Sequence, residues 1–506
     1  MSPHTNDRPA RRRGRFFVAV SVGVSVAVAS SVLGAQSTPV PLSRAERLSP
    51  DTVPLSFDAA ITRALRDGEE VRAAVTAVDV ADAQIGVARS TGLPQLRLNS
   101  TYSQVVENAR ATIVGSVFGQ AYNYSANAQL SQPLFLGGRV FAGARAAGAV
   151  RGAARANTAE VRGQVVVDVE RAYLNALFTR RLIEIQRRNL QLAEQRVTQT
   201  QQLETAGRAS RYDVLRLKVE RANLEPALVQ AQNDYAIAVL TLRRLINVPS
   251  ERPLVLTSEL DTLSLQRLLA TVDTSPGIGE VRASVRAAEL TRTAREAGVR
   301  VARADLFPSI TATLTSGFLA LPASNGFPAR SGSSSNANCP AGSPATRLCQ
   351  NNGWFTDRNF GFQVSWPIFD GLRTKSNLDN AHALVKQSEI QLAQVRELVA
   401  LEAAASRAEF GRARTLFDAR RETVAEATEA YQLSVLRNTR GVGTTLDVSD
   451  AQLNLVRAEV NAARAIYDVF LAAAELARTT GRPIPLPDGG AMRITDRGAD
   501  RVTTDR

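Results

Sequence analysis

The stretch Ser131-Gln-Pro-Leu-Phe-Leu-Gly-Gly-Arg139 occurs again 234 positions later (365 minus 131), as Ser365-Trp-Pro-Ile-Phe-Asp-Gly-Leu-Arg373. Each copy ends a segment in which apolar and polar residues alternate, and each opens a long segment without proline. Alternation with period two is typical of a strand, whereas long proline-free sequence favours helix. This junction phrase therefore predicts a strand that becomes a long helix, built twice by duplication. Its marker residues are Pro133, Phe135, Gly137 and Arg139, then Pro367, Phe369, Gly371 and Arg373.

Four segments alternate in this way and are predicted as strands of about ten residues. They cover about 94–104, 121–133, 308–319 and 359–369. One side of each carries Leu, Tyr, Phe, Val or Ile, and the other carries mostly Asn, Ser, Thr or Gln. An apolar side facing lipid and an uncharged polar side facing water are typical of membrane barrel strands.

The strands lie within two predicted repeats, at residues 55–247 and 277–482. Each repeat begins with a helix, continues with two strands and ends with two long helices that carry apolar residues at three- and four-residue spacing. The long helices are predicted at about 138–206, 210–246, 372–439 and 444–480. We interpret residues 36–54 as a linker, 248–276 as a connecting segment and 483–506 as a disordered tail.

The N-terminus has the features of an export signal at residues 1–35. A basic stretch, with Arg11, Arg12, Arg13 and Arg15, precedes an apolar run and the small residues Gly34-Ala35. The alternative is an anchoring transmembrane helix, but the apolar run barely reaches the ~18–20 residues that such a span needs.

The chain has two cysteines, Cys339 and Cys349, within a stretch rich in Gly, Ser, Asn and Pro. In an exported protein this pair favours a disulfide that closes a surface loop. A two-cysteine metal site is the alternative, but no histidine lies nearby. The sequence offers no other metal site and no cofactor site.

The net charge of +13 could indicate a nucleic-acid-binding protein. Acidic residues are interspersed with the arginines along the predicted helices, which favours a solvated helical surface instead. Once the signal is removed, His382 is the single histidine, and its position within a long helix favours a solvated side chain over a catalytic or metal-binding one. The sequence gives no indication of an enzyme.

Four strands cannot close a barrel, because the smallest membrane barrels have about eight strands and lipid does not tolerate open sheet edges. Other copies of the chain must complete the sheet. Two copies would give eight strands, whose interior side chains would fill, and three copies would give twelve strands with room for a lumen.

At the positions where the long helices should turn, the two repeats again match, as Gly207-Arg208-Ala-Ser-Arg-Tyr212-Asp213-Val214 and Gly441-Val-Gly443-Thr-Thr-Leu446-Asp447-Val448. With the two junction phrases, these stretches make the chain resemble the outer membrane efflux protein family, the TolC-like channels, over roughly residues 55–482. The resemblance implies a mainly helical homotrimer with a 12-strand barrel in the bacterial outer membrane. It also implies a periplasmic α-barrel of antiparallel helices and a mixed equatorial belt, which would hold the connecting segment and the C-terminal tail.

In the family, two aspartates ring the constricted periplasmic opening, and Asp447 and Asp450 match them. The three-residue spacing puts both on one helix face, and six carboxylates in a trimer should favour cations and raise their own pKa values. The alternative is helix capping, which Asp447 suits. The first repeat has Arg216 in place of Asp450. In related proteins, basic and aromatic residues at the tips help to hold the channel closed. Gly443 and Asn438 occupy the matching positions here.

The resemblance also assigns docking of a periplasmic adaptor, or membrane fusion protein, to the turns around Gly207 and Gly441. The predicted function is a passive exit duct of a tripartite efflux or type I secretion system, energised by an inner-membrane RND or ABC transporter. A periplasmic coiled-coil structural protein or adhesin is the alternative, and it would not explain the four strands. A soluble nucleic-acid-binding protein is a third, which the export signal disfavours.

Overall fold

The computed structural model describes residues 53–106, 122–249, 254–259, 262–272, 282–320, 354–486, 491–494 and 499–502. The described residues all belong to one compact unit, Thr52–Arg506. The predicted export signal, most of the predicted linker and the stretch with Cys339 and Cys349 lie outside the described residues. Their predictions stay predictions.

The first repeat contains both β- and α-structure in the predicted order. Strand β1 (Val53–Leu55) leads into α1 (Phe57–Asp67) and α2 (Glu69–Ser90). Two strands and two long helices follow: β2 (Gln95–Gln104), β3 (Tyr122–Leu136), α3 (Arg139–Thr205) and α4 (Arg211–Leu245).

The connecting segment contributes β4 (Leu254–Leu256) and α5 (Thr262–Thr271). The second repeat then has α6 (Ala283–Arg303), a short 3-10 turn (Ala304–Leu306), β5 (Ser309–Ala320), β6 (Trp354–Ser365), α7 (Arg373–Thr439) and α8 (Thr445–Thr480). Helices α3 and α7 have the same length, 67 residues. The chain is mostly helical, as predicted.

Two predictions at the ends of the duplicated region were wrong. The single helix expected at the beginning of the first repeat is two helices, because Gly68 takes an extended conformation that ends α1 and begins α2. The tail expected to be disordered forms β7 (Ile484–Pro485), β8 (Ala491–Ile494) and β9 (Ala499–Val502). Ile484 and Met492 are buried there in the main core, so a few apolar side chains order a segment whose composition is polar.

The four long strands form one antiparallel sheet in the order β2-β3-β5-β6. Directly opposite residues share a face, and one face carries an apolar row made of Leu96, Leu130, Leu314 and Phe360. The other face carries a row of Asn99, Asn127, Gly317 and Asp357. One face is therefore suited to lipid and the other to water.

The two junction phrases differ in how far the strand continues. β3 runs through Pro133 to Leu136, with a register shift between Pro133 and Phe135, because β5 pairs with its last residues. β6 ends at Ser365, and it begins earlier than predicted, at Trp354. The prediction of 359–369 for this strand was therefore wrong at both ends. Beyond Ser365, Pro367 has no N–H to donate to a ladder.

The main buried core lies where the connecting segment and tail meet the middle of the long helices. β1 pairs in parallel with β4, and the Tyr173 hydroxyl donates to the Leu55 carbonyl at 2.8 Å and accepts from the Ser258 N–H at 3.3 Å. Phe57 packs edge-on against Tyr173. We call this core and its contacts the belt. The belt holds the β1-β4 sheet and the β7-β8-β9 sheet against α3.

A cluster of charged residues joins the two repeats beside this belt. Arg282, just before α6, donates to Glu160 of α3 at 2.6 Å and also to Glu402 of α7. Arg478, near the end of α8, donates to Glu160 at 3.2 Å and to Glu475 at 2.6 Å. The cluster therefore fixes α3 against α7 at the level where α8 ends and α6 begins.

Candidate functional site: the two hairpin tips

Each pair of long helices ends in a tight turn that glycine makes possible. Gly207 and Gly441 have φ values of +70° and +76°, in the left-handed region that favours glycine. Just beyond them, the Arg208 N–H donates to the Leu203 carbonyl at 2.8 Å and the Val442 N–H to the Arg437 carbonyl at 3.0 Å. These bonds satisfy carbonyls that a helix end leaves free, so the two tips share one geometry.

The helix that leaves each tip begins with a reciprocal capping box. At the first tip, the Asp213 N–H donates to Ser210 Oγ at 3.2 Å, and the Ser210 N–H donates to Asp213 Oδ2 at 3.3 Å. At the second, the Asp447 N–H donates to Thr444 Oγ1 at 3.2 Å, and the Thr444 N–H donates to Asp447 Oδ2 at 3.0 Å. Within one chain, Asp447 is therefore a capping residue, as the alternative interpretation expects.

Capping also determines the charge of Asp447. The backbone hydrogen bond from Thr444, then that residue's side chain, holds the pKa of the Asp447 carboxyl below its usual value. This direction is opposite to the rise expected for a carboxylate ring. The ring needs three chains, and it remains a prediction.

Asp450 lies one turn further along α8 and is exposed. It lines a cavity of about 240 Å³ together with Arg196 of α3 and Glu220 of α4. At the corresponding position of the first repeat, Arg216 lies 3.8 Å from Glu220 in a half-buried ion pair. The two tips therefore present opposite charges at this position.

The predicted docking residues divide into buried and exposed groups. Val214 and Val448 are buried and pack each tip from within. Tyr212 is 71% exposed, Leu446 is also exposed, and so is Arg208. At Gly443, whose carbonyl accepts from Asn438 Nδ2 at 3.2 Å, an added Cβ would come within 3.1 Å of the Arg437 Cβ. A compact turn therefore presents an apolar and basic outer surface.

The sequence analysis missed a buried polar network just above the tips. Arg196 of α3 donates to Ser449 Oγ at 2.8 Å and to Gln452 Oε1 at 2.9 Å. Gln452 in turn donates to Asn189 Oδ1 at 2.6 Å, and both of these amides are buried. Burial lowers the pKa of Arg196, against the attraction of Glu220. Asn189 and Arg196 are seven residues apart on α3, so both fall on one face of that helix, and this spacing was the available signal.

The two junctions also differ in packing. In the first, Gly137 approaches the Ala304 carbonyl so closely that a Cβ would lie 2.4 Å from it, and Arg139 forms an ion pair with Asp305. In the second, a Cβ on Gly371 would meet nothing within 4 Å. Among the residues that the structure describes, Arg373 has only the weak pair with Asp370, at 3.8 Å. The first junction is therefore closed around Gly137 and Arg139, whereas the second is open around Gly371 although Trp366 Nε1 donates to the Leu306 carbonyl at 3.2 Å.

Over the described ranges, no group of three or more His, Cys, Asp or Glu side chains could hold a metal ion, and His382 is exposed on α7. No helix in the described part has an apolar stretch long enough to cross a membrane.

Three comparisons with known proteins agree with this architecture. The chain is 23% identical to the outer membrane efflux protein BepC of Brucella suis, over 84% of each protein. It is 24% identical to the cobalt-zinc-cadmium resistance protein CzcC of Cupriavidus metallidurans, over 85% of this chain and 90% of that one. The fold matches the CmeC outer membrane channel of Campylobacter jejuni with a TM-score of 0.66 and 15% identity, over 84% and 85% of the two chains.

The model of the family described as outer membrane efflux protein matches residues 60–248 and 280–482. These two ranges contain both hairpin tips and both junction phrases, and together they cover most of the chain. The protein therefore lies in the outer membrane with a large periplasmic part, as predicted, and it belongs to the outer membrane efflux protein family.

Proposed function

We propose that this protein is a homotrimeric duct in which three copies of the four-stranded sheet close a 12-strand barrel and the long helices continue it as a periplasmic α-barrel. Substrates would leave passively through the lumen. The observation that supports this proposal is the sheet itself, which has one apolar face and whose outer strands, β2 and β6, pair on one side only among the described strands. Lipid does not tolerate open edges.

The duplication gives the expected register between copies. Inside the chain, β3 pairs with β5 so that Leu130 lies opposite Leu314. The residue of the second repeat that corresponds to Leu130 is Val364, which lies 234 positions later. The residue of the first repeat that corresponds to Leu314 is Ser100, which lies 214 positions earlier, the same offset as that between Pro308 and Pro94. Val364 of one copy should therefore lie opposite Ser100 of the next copy, with both on the apolar face.

The helices support the same arrangement. α6 packs on α3 and on α7, whereas α2, its counterpart in the first repeat, packs on α3 and leaves its other side exposed. That exposed side carries Val80 and Val87, and α7 exposes Ile390, Leu398 and Leu401. A second copy would bring these apolar surfaces together, with α2 of one copy beside α7 of the next.

Cysteine cross-linking tests the trimer. In a background with Cys339→Ser and Cys349→Ser, we expect Val364→Cys with Ser100→Cys to give a covalent trimer on oxidation of outer membranes, because directly opposite Cβ atoms lie about 4.5–5.5 Å apart. Gln363→Cys with Ser100→Cys is the matched control, since Gln363 lies on the other face. A covalent dimer as the end product, or equal yields from the two variants, would contradict the 12-strand barrel.

The tips are the proposed gate and docking site. Three copies would bring Asp447 and Asp450 together around the axis, and the exposed Tyr212 and Leu446 would meet the helical hairpins of a periplasmic adaptor. An inner-membrane RND or ABC transporter would supply the energy for small-molecule efflux or type I secretion of polypeptides. BepC is named as an efflux protein and CzcC as a metal resistance protein, which favours the efflux of small solutes.

Planar-bilayer recordings test the gate. We expect Asp447→Asn with Asp450→Asn to reduce cation selectivity, because six carboxylates would leave the constriction. The matched control is Asp213→Asn, which removes the capping carboxylate of the first tip without altering the proposed ring. Unchanged selectivity in the double variant, or an equal loss in the control, would refute the ring.

A further inference from the structure

A cavity of about 270 Å³ lies at the first junction, between the start of α3 and the end of α6. Three arginines and two phenylalanines line it: Arg145, Arg300, Arg303, Phe141 and Phe307. No carboxylate lines the cavity. Its cationic and apolar components therefore lie side by side.

The three arginines have no protein partner. All are exposed, and within the described part of the chain none makes a hydrogen bond or an ion pair. Asp305, two residues beyond Arg303, is already engaged by Arg139. Three guanidinium groups therefore line one cavity without a carboxylate among its lining residues, and they are positioned for an external anion.

The two phenylalanine side chains beside the arginines are also exposed to solvent. Phe141 is 84% exposed and Phe307 is 50% exposed. Large apolar side chains exposed next to a concave surface indicate an interaction site. A purely hydrophilic anion would leave both rings in water, whereas a molecule with a charged head and an apolar body would cover them.

The position of the cavity identifies that molecule. β3 ends and α3 begins beside the cavity, so it lies at the level where the proposed barrel gives way to the periplasmic part. This step rests on the proposed function, in which the four strands span the membrane. At that level, a side chain facing outward meets the headgroups and the first methylenes of the periplasmic leaflet.

We propose that this cavity binds the phosphate of an anionic phospholipid from the periplasmic leaflet, with Phe141 and Phe307 against its acyl chains. Planar guanidinium groups match phosphate oxygens in a bidentate manner. α3 begins at Gly138 without a side-chain cap and without an acidic residue in its first turn, so its free N–H groups add to the positive potential.

The duplication confines the site to one repeat. The positions corresponding to Phe141 and Arg145 are Lys375 and Asp379, and those corresponding to Arg300 and Arg303 are Gly86 and Arg89. The second junction thus lacks the aromatic ring and carries an acid where the first carries a base. Each chain should hold one such lipid.

Native mass spectrometry of the full-length protein, titrated with phosphatidylglycerol or with phosphatidylcholine, tests the proposal. We expect the wild type to retain phosphatidylglycerol in preference. Arg145→Gln with Arg300→Gln and Arg303→Gln should weaken that retention by about a hundredfold, since three basic side chains near the surface are lost. The matched control removes three charges from the beginning of α7, as Arg373→Gln, Lys375→Gln and Lys386→Gln, and should retain the lipid as the wild type does.

Two further measurements distinguish the outcomes. Phe141→Ala keeps every charge. This variant should no longer retain phosphatidylglycerol, whereas its binding of inorganic phosphate should equal that of the wild type. Displacement of the lipid by a modest excess of inorganic phosphate would overturn the proposal in favour of a soluble anion. Equal retention of the two lipids, or an equal loss in the control, would also overturn it. The same spectra report the number of chains, so absence of a trimer with the lipid preference intact would count against the proposed function alone.

Discussion

Helices α3 and α7 are the same element built twice, yet they differ in burial. Both have 67 residues, and both begin directly after a junction phrase. α3 has 23 buried residues, whereas α7 has nine. Helices from both repeats enclose α3, while α7 has partners on one side. The difference shows that duplication produced two helices of equal length, but that a single chain surrounds only α3 with neighbouring helices.

Single positions repeat this lesson. Glu170 of α3 is fully buried, and its counterpart 234 positions later, Ala404 of α7, is exposed. Gly138 before α3 is replaced by Leu372 before α7, although both positions have a positive φ. Substituting one side chain of each pair tests whether α3 and α7 differ in the way that their burial indicates. Removing the arginine that joins the two helices tests whether they depend on each other.

The largest effect is expected where α3 and α7 are joined. Arg282, whose side chain is 9% exposed, bonds to Glu160 of α3 and Glu402 of α7. Arg282→Met would leave two carboxylates without their main partner, and we expect the free energy of unfolding to fall by about 3 kcal/mol. Thermal or denaturant unfolding of the detergent-solubilised protein, followed by circular dichroism, measures this change.

A control on the same helix makes that result specific. Arg292 pairs with Glu296 at 3.2 Å with both side chains exposed, so Arg292→Met should cost less than about 1 kcal/mol. If the two variants are equally destabilised, the Arg282 cluster does not join the repeats more firmly than an ordinary surface pair does.

A smaller effect of opposite sign is expected at Glu170. Neither of its carboxylate oxygens has a hydrogen-bond partner within the described residues, and burial raises its pKa well above the usual 4.5. The folded state therefore holds the proton more tightly than the unfolded chain does. The stability associated with this group is complete below the unfolded pKa and is lost as the pH rises above it.

Glu170→Leu removes that dependence. We expect the variant to be more stable than the wild type by about 2 kcal/mol at neutral pH, because an unpaired buried carboxyl is lost. The difference should shrink when unfolding is measured near pH 4. Ala404→Leu is the matched control on the exposed counterpart and should show little change at either pH. A difference that does not vary with pH would show that Glu170 is not the titrating group.

The repeats were predictable because their signals are local and occur twice. Gly207 and Gly441 mark the tips, and the junction phrases mark the strand-to-helix transitions. Tertiary contacts decided what the sequence could not. Ile484 and Met492 order the tail only because the belt offers them a core. Arg196 reaches Ser449 across 253 residues of sequence, and nothing in local spacing pairs them. The ring of aspartates depends on copies of the chain that no single-chain pattern positions.

The smallest effect is expected at the two positions just before α3 and α7, where φ is +81° for Gly138 and +68° for Leu372. A left-handed conformation costs a residue with a Cβ about 1–2 kcal/mol, and glycine escapes this cost. Leu372 is 61% exposed, so its side chain contributes little packing that glycine would lose. Since glycine also gains about 0.5–1 kcal/mol of freedom in the unfolded chain, Leu372→Gly should stabilise the protein by only about 0.5 kcal/mol. The reciprocal Gly138→Ala should destabilise it by a similar amount, because a Cβ there meets nothing within 4 Å and only the backbone conformation is penalised. Unfolding midpoints that move in opposite directions would show that the two junctions share one backbone requirement. Midpoints that move together would show that Leu372 makes a contact between copies that outweighs its strain.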